Sequence, residues 1–163
     1  GGYRLVVLVG IPGSGKSTFA RGLKAAGWAV VSQDSLGNRK NCEWAVRRAL
    51  ERGARVVVDR CNFDEQQRAT WLKLAAEGGL PRECLVAVYF DVPLEECAER
   101  VSNRKSHPTL RGSDPKFAHV VRRMAEDLRA PGEHEGFGRI FRAQAQHELA
   151  HAMDCLRGRT LRN

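Results

Sequence analysis

The sequence is most informative first in what it lacks. Nowhere in its 163 residues does an apolar run approach the ~20 residues a membrane span needs. No charged-then-apolar signal segment occurs either. The five cysteines (Cys42, Cys61, Cys84, Cys97 and Cys155) are odd in number and include no CxxC pair. That excludes a disulfide framework and a cysteine zinc site, and points to reduced thiols in a cytosolic or nuclear compartment. Neither internal repeats nor low-complexity tracts are present. Hydrophobic residues make up 42% and charged residues 28%, so the chain is neither disordered nor collagen-like. At about 150 residues per domain, this length predicts one domain. Such a chain buries roughly 70% of its unfolded surface and needs no disulfide to hold a core.

Charge is in excess on one side. There are 27 Lys and Arg residues against 19 Asp and Glu, a net of +8. Residues 1–60 carry 11 basic and 4 acidic side chains, so the excess sits in the first third. A basic concentration of this kind attracts phosphates and polyanions. Arginine supplies 21 of the 27 cations. Its planar fork suits bidentate phosphate contacts, although a GC-rich genome also favours arginine over lysine.

Strand and helix signals alternate. Arg4–Val9, Trp28–Ser32, Arg55–Asp59 and Glu83–Phe90 read as short buried strands, and Ile140-Phe141 adds a short fifth. Helices are expected over Ser17–Ala26, Asn41–Arg52, Asp64–Glu77, Pro93–Arg104, Asp114–Arg129 and Gln144–Arg157. Gly27, Gly53 and Gly158 act as stops. Asp64 and Gln67 have capping-box spacing. Ser106–Ser113 and residues 130–138 read as loops. Strands separated by helices of this length give an α/β fold with a parallel sheet of four to five strands, flanked by helices. Ligands of such sheets sit beyond the C-terminal strand ends. Trp28, Trp44 and Trp71 are expected in the core.

Gly10-Ile11-Pro12-Gly13-Ser14-Gly15-Lys16-Ser17 matches GxxxxGK[ST] without a gap, between a strand and a helix. Its glycines let backbone N–H groups curl around phosphate oxygens. The helix N-terminus adds partial positive charge. Lys16 reaches the β- and γ-phosphates, and the Ser17 hydroxyl ligates Mg²⁺. ATP or another nucleoside triphosphate with Mg²⁺ is therefore expected.

The remaining strand ends carry candidates with competing readings. Asp34 follows the second strand: a general base on an attacking hydroxyl, or a turn aspartate capping Leu36-Gly37. Asp59 ends the third strand, where P-loop proteins place an acid near the metal. Arg60 and Asn62 follow, at phosphate or substrate, or in a turn. Arg100 and Arg104 share a helix face and fit a clamp on the transferring phosphoryl group. Against that, Glu96 and Arg100 also form an i,i+4 surface pair. His147-Glu148-Leu149-Ala150-His151 has HExxH form, but no third ligand is evident and zinc chemistry is not expected. Cys61 lies near the chemistry, in a packing role.

These blocks together resemble the polynucleotide 5′-kinase family of nucleic-acid repair enzymes, from Leu5 to about Phe141. Val9–Phe19 is similar to its phosphate loop, and Gln33-Asp34-Ser35-Leu36-Gly37 to its substrate-side acid block. Val58-Asp59-Arg60-Cys61-Asn62 resembles its third-strand motif, and Phe90-Asp91-Val92-Pro93 its fourth-strand end. Arg100-x-x-x-Arg104 keeps the lid spacing. Glu135-Gly136-Phe137 resembles a late block, and together with Asp59–Asn62 looks closest to kinase modules fused to aprataxin-like domains. The resemblance implies a P-loop kinase domain with a helical lid, one module of a larger protein. It implies Asp34, Lys16 and Arg104 as catalytic residues. It places Gly13, Ser14, Gly15, Lys16, Ser17, Thr18, Arg100 and Arg104 around ATP, with Ser17 on Mg²⁺. It places Asp34, Arg39, Arg60 and Asn62 at a 5′-OH end of DNA or RNA. Phage-type members carry an arginine three residues after the base. Here that position is Gly37, leaving Asn38, Arg39 or Lys40 to substitute. Healing of 3′ ends or ligation would fall to a partner or fused end-processing domain, and no membrane partner is implied. The alternatives are a small-molecule kinase on the same fold, or a non-catalytic nucleotide-binding docking module.

Overall fold

A computed structural model describes residues 2–103 and 115–158. Its five strands are β1 (Leu5–Val9), β2 (Ala29–Ser32), β3 (Val56–Asp59), β4 (Leu85–Phe90) and β5 (Arg139–Ala143). They form one parallel sheet in the order β2-β3-β1-β4-β5. The seven helices among the described residues are α1 (Lys16–Ala25), α2 (Gln33–Leu36), α3 (Arg39–Glu51), α4 (Glu65–Glu77), α5 (Leu94–Asn103), α6 (Pro115–Asp127) and α7 (Gln146–Leu156).

Alternation along the central strands assigns the layers. Leu5, Val7 and Val9 of β1, with Val56 and Val58 of β3, pack against Cys42, Val46 and Ala49 of α3 and Trp71, Leu74 and Ala75 of α4. Val6, Leu8, Val57, Val86 and Val88 face Phe19, Ala20 and Leu23 of α1 and Ala152 and Leu156 of α7 on the other side. Both faces are covered, which is why these strands read as unbroken apolar runs. A third cluster joins Ile11 of the loop after β1 to Cys97 and Val101 of α5 and Phe117 and Val121 of α6. It lays the α5–α6 hairpin over the phosphate loop. No helix among the described residues is long and apolar enough to cross a membrane.

Several expectations need correction. The fifth strand is longer than the Ile140-Phe141 pair, because its register with Val86–Phe90 runs over five residues. Strand β4 begins at Leu85, since Arg82–Cys84 form a 3₁₀ turn. The short helix α2 has no counterpart in the sequence reading: four residues give too little periodicity, although its Ser32 cap accepts the Ser35 N–H at 3.3 Å. The glycine- and proline-rich stretch 130–138 holds a 3₁₀ turn at Glu133–Glu135. Asp64 caps α4 as expected, accepting the Gln67 N–H at 2.8 Å. Trp28 and Trp71 are buried, but Trp44 is 64% exposed. It lies two residues from Val46, about 200° around α3 from the core face. The expected loop Ser106–Ser113 lies outside the described residues, as does Arg104.

A buried ion pair ties these layers to the strand ends. Arg68 of α4 and Glu135 are 1% and 2% exposed at their side chains. Arg68 Nε and Nη2 donate to the two Glu135 carboxylate oxygens at 2.7 and 3.0 Å. Its Nη1 donates to the carbonyls of Asn62 at 2.9 Å and Arg129 at 2.8 Å. The Gly132 N–H also reaches Glu135, at 2.7 Å. Removing one partner of such a pair strands a buried charge, so Arg68→Ala is expected to lower stability by about 3–5 kcal/mol in denaturant unfolding. Burial pushes the Glu135 carboxyl up, but hydrogen bonds from Arg68 and Gly132 and the Arg68 charge hold it below its ordinary 4.5. The pair's contribution is therefore complete above about pH 4.5 and is lost as pH falls through the lowered value. An unfolding series in acid should show that loss in the wild type and a flatter profile in Glu135→Gln. Identical profiles would contradict it.

Candidate functional site

The C-terminal ends of β1, β2 and β3 open into a cavity of about 240 Å³. Three groups of side chains line it: Gly13, Gly15, Lys16 and Ser17 from the loop after β1; Gln33 and Asp34 from α2; and Asp59, Arg60 and Cys61 from the end of β3. Val101, Phe117 and Met124 of the α5–α6 hairpin close one side. Residues far apart in sequence thus share one space, because β1 and β3 are neighbours and β2 flanks β3.

The phosphate loop is shaped for an anion. Gly13 has φ +83°, and a Cβ there would lie 2.5 Å from the Cys97 carbonyl, so the loop and α5 approach closer than a side chain allows. Helix α1 has no side-chain cap and no acidic residue in its first turn, leaving its leading N–H groups to a ligand. The Ser14 hydroxyl is buried without a partner among the described residues. Lys16 Nζ donates to the Ile11 carbonyl at 2.9 Å, curling back across the loop. From behind, Arg100 Nη1 donates to the carbonyls of Ser14 at 3.3 Å and Gly13 at 3.5 Å. Arg100 is held in turn by Glu96 at 2.7 Å. It therefore makes both the i,i+4 pair and a loop contact. These features fit the phosphates of a nucleoside triphosphate.

Beside the loop, Ser17 Oγ donates to Asp59 Oδ2 at 3.1 Å. The Asp59 carboxyl stands above its ordinary 3.8. Burial is the main cause and the charge of Asp34 adds to it, opposed by Lys16, the Ser17 hydroxyl and Arg21. A hydroxyl and a carboxylate at this separation, with a second carboxylate close enough to repel the first, suit Mg²⁺ held directly or through water. The guanidinium of Arg60 has its Nη1 buried and unpartnered among the described residues. That leaves a donor beside the acids for a phosphate oxygen.

Not every expected residue is brought here. Thr18 is exposed and accepts a hydrogen bond from Arg21 at 3.2 Å. Arg39 is exposed at the start of α3 and does not line the cavity. Asn62, expected at the substrate, is 1% exposed and fully engaged. Its Nδ2 donates to the Leu8 carbonyl at 2.8 Å and to the Arg60 carbonyl at 3.2 Å, and its Oδ1 accepts from Trp71 Nε1 at 2.7 Å. With φ +48°, it fixes the turn after β3. It acts on the site through the backbone that carries Arg60 and Cys61. The Cys61 carbonyl accepts the Gly10 N–H at 3.0 Å, joining that turn to the phosphate loop.

Asp91, in the fourth-strand block, turns away to Arg142 and Gln144 and braces β5. His151 lies 3.8 Å from Cys155 Sγ and joins no group of metal ligands among the described residues. Glu65, His134 and Glu135 do converge, but Arg68 and Gly132 already occupy the Glu135 oxygens. Sequence reasoning missed Gln33, Phe117 and Met124 as lining residues, and Arg68 as the anchor of the turn after β3. The spacing of Phe117, Val121 and Met124 marks an apolar face of α6, but nothing in it says which loop that face covers.

The family described as an AAA domain matches residues 39–131. The chain is 32% identical over 159 residues to Arabidopsis thaliana "Transcription factor bHLH140", covering 92% of this chain and 17% of that protein. It is 38% identical over 82 residues to the bifunctional polynucleotide phosphatase/kinase of Schizosaccharomyces pombe, covering 50% and 20%. It is 34% identical over 122 residues to the shikimate kinase of Corynebacterium glutamicum, covering 68% and 72%. The chain thus spans a fifth or less of the first two of these relatives. Among solved structures, a fungal RNA kinase superposes with TM-score 0.67 at 14% identity, covering 94% of this chain and 85% of that one. The Mycobacterium tuberculosis APS kinase, solved with AMPPNP and APS, gives TM-score 0.59 at 20% identity, covering 94% and 97%. With its phosphate loop, parallel sheet and matched sequence, the chain belongs to the AAA-domain family of P-loop kinases.

Proposed function

We propose that this chain transfers the γ-phosphate of ATP to the 5′-hydroxyl end of a polynucleotide, DNA or RNA. The observation that carries the reading is the placement of Asp34 in one cavity with Lys16, Ser17, Asp59 and Arg60. A carboxylate there is positioned to take a proton from an acceptor hydroxyl rather than to bind ATP. The polynucleotide phosphatase/kinase relatives and the basic first third of the chain favour a nucleic-acid end as that acceptor.

In the proposed reaction, Asp34 accepts the 5′-OH proton. The freed oxygen attacks the γ-phosphorus, the bond to the β-phosphate oxygen breaks, and ADP leaves. Lys16 and the N–H groups at the start of α1 hold the phosphates and offset the charge that spreads over the transferring group. Arg60 binds a phosphate oxygen of the acceptor. Ser17 and Asp59 would hold Mg²⁺, which would supply charge neutralisation for the phosphates. The sequence assigns Arg104, which lies outside the described residues, to the same group. Val101, Phe117 and Met124 keep water from the reacting atoms.

The test is transfer of labelled γ-phosphate from ATP to 5′-OH DNA and RNA oligonucleotides with Mg²⁺. Asp34→Ala is expected to cut kcat by about 10²–10⁴-fold while ATP still binds. Unchanged turnover in that variant would overturn the assignment of the base. The relationship to shikimate kinase favours the competing reading, a small hydroxyl acceptor. Transfer to small acceptors and to no oligonucleotide end would establish it.

Asp59 gives a separate prediction. Its raised titration means that ionisation costs the unliganded chain stability, increasingly so as pH rises above 3.8 through the folded-state value. Asp59→Asn should therefore raise Tm at neutral pH while lowering activity and Mg²⁺ affinity. A lower Tm in that variant would contradict the electrostatic account.

A further inference from the structure

The exposed tryptophan on α3 is unexplained by the core and by the cavity. Trp44 is 64% exposed, and Arg48 lies with its guanidinium 5.6 Å from the indole centroid. Lys40, Trp44 and Arg48 recur every fourth residue, so they form one stripe along the outer face of α3. All three are exposed. Lys40 and Arg48 have no ion-pair partner among the described residues. Glu43 and Glu51 each lie three residues beyond a cation of the stripe, but neither forms an ion pair with it among the described residues. Arg47 is drawn off toward Glu77 of α4, at 3.7 Å.

The stripe begins in the helix that follows α2, which supplies Gln33 and Asp34 to the cavity. Helix α2 carries Asp34, and only Gly37 and Asn38 separate α2 from α3. Asn41 Nδ2 donates to the Leu36 carbonyl at 2.8 Å, and the Asn38 side chain caps α3. These bonds fix the direction in which α3 leaves the site. From Lys40 to Arg48 the helix rises about 12 Å. At about 3.4 Å per nucleotide of one B-form strand, that is three to four nucleotides.

Resting on the kinase reading above, we infer that this face of α3 is the track for the nucleotides behind the phosphorylated end. Lys40 and Arg48 hold phosphates three to four nucleotides apart, and a base between them stacks on Trp44. A flat indole between two cations suits a single strand, because every base has a π-face and the contact reads no sequence. An acidic protein could use the same cations and the indole; the continuity of this helix with the one that carries Asp34 favours the strand.

The experiment compares a 5′-OH nucleoside 3′-phosphate with a 5′-OH 12-mer as acceptors. Wild type, Trp44→Ala, Trp44→Phe and Lys40→Ala/Arg48→Ala are assayed over a range of salt. Wild type should show a much lower KM for the 12-mer. Trp44→Ala and the double variant should raise that KM about ten- to hundred-fold. In Trp44→Ala the values of kcat and the KM for ATP and for the nucleotide should be unchanged. Trp44→Phe should keep most of the length preference. The salt slope should flatten in the double variant, by about 0.7 for each phosphate no longer neutralised. The 12-mer should also quench wild-type tryptophan fluorescence, and quench Trp44→Phe far less. If wild type phosphorylates the 12-mer and all variants keep its KM and salt slope, the track is wrong and the kinase reading stands. Equal quenching by poly-glutamate would make this an anion or protein surface and overturn the track. Transfer to the small acceptor alone would remove both readings.

Discussion

The guanidinium of Arg68 is the constraint on which the site's geometry rests. A cation this deeply buried is tolerated only when its donors are satisfied in one arrangement. Here they reach the Glu135 carboxylate and the carbonyls of Asn62 and Arg129. Those partners belong to three separate pieces of chain: the turn after β3, the end of α6, and the turn leading into β5. Asn62 passes the constraint on, through its bonds to Leu8 and Trp71, to the strand that launches the phosphate loop. The loop that carries Arg60 and the loop that cradles phosphate are thus set against one reference. The apolar clusters could place these elements to within a side chain; the fork geometry of arginine narrows that to one register.

Charge within the cavity is arranged by contrast. Lys16 and the start of α1 make one side positive, and Asp34 and Asp59 make the other negative. Burial disfavours the ionisation of Asp59, and the charge of Asp34 adds to that. A bound cation would relieve that cost, as expected where a carboxylate serves a ligand. The arrangement also separates two tasks. In the proposed reaction the phosphate loop and Asp59 serve the nucleotide, whereas the end of β2 and the helix after it face the acceptor. Acceptor choice then falls to elements whose sequence is free of the demands of ATP binding.

That division explains why kinship with polynucleotide and small-molecule kinases coexists in one chain. The sheet and phosphate loop are shared among enzymes with different acceptors, so fold likeness does not choose among them. The features that bear on acceptor choice in this chain are local: the two-carboxylate pocket, the arginine after Asp59, and the basic outer face of α3 around an exposed indole. Gly37, where phage-type kinases carry an arginine, has φ +85° at the end of α2. A side chain in that left-handed conformation would be strained, which accounts for glycine at this position.

The alternating elements, the parallel sheet and the phosphate loop were legible in the sequence because each rests on local rules. Strand length, helix period, capping and the glycine spacing of an anion-binding turn act over ten residues or fewer. Lys16, Ser17, Asp34 and Asp59 followed, since strand ends in such sheets converge on one edge. The rest was decided by contacts across long stretches of chain. No local signal distinguishes Asn62 as a buried turn former from Asn62 as a substrate contact; the Leu8 carbonyl and the Trp71 indole settle that, and both come from other elements. Nor does local sequence join Arg68 to Glu135, 67 positions away, or place Trp44 outside when Trp28 and Trp71 are inside. The sequence by itself determined which elements form and what chemistry their ends carry. Tertiary structure alone decided which polar groups are satisfied internally and which are left to meet a ligand, because burial depends on neighbours that the local pattern does not name.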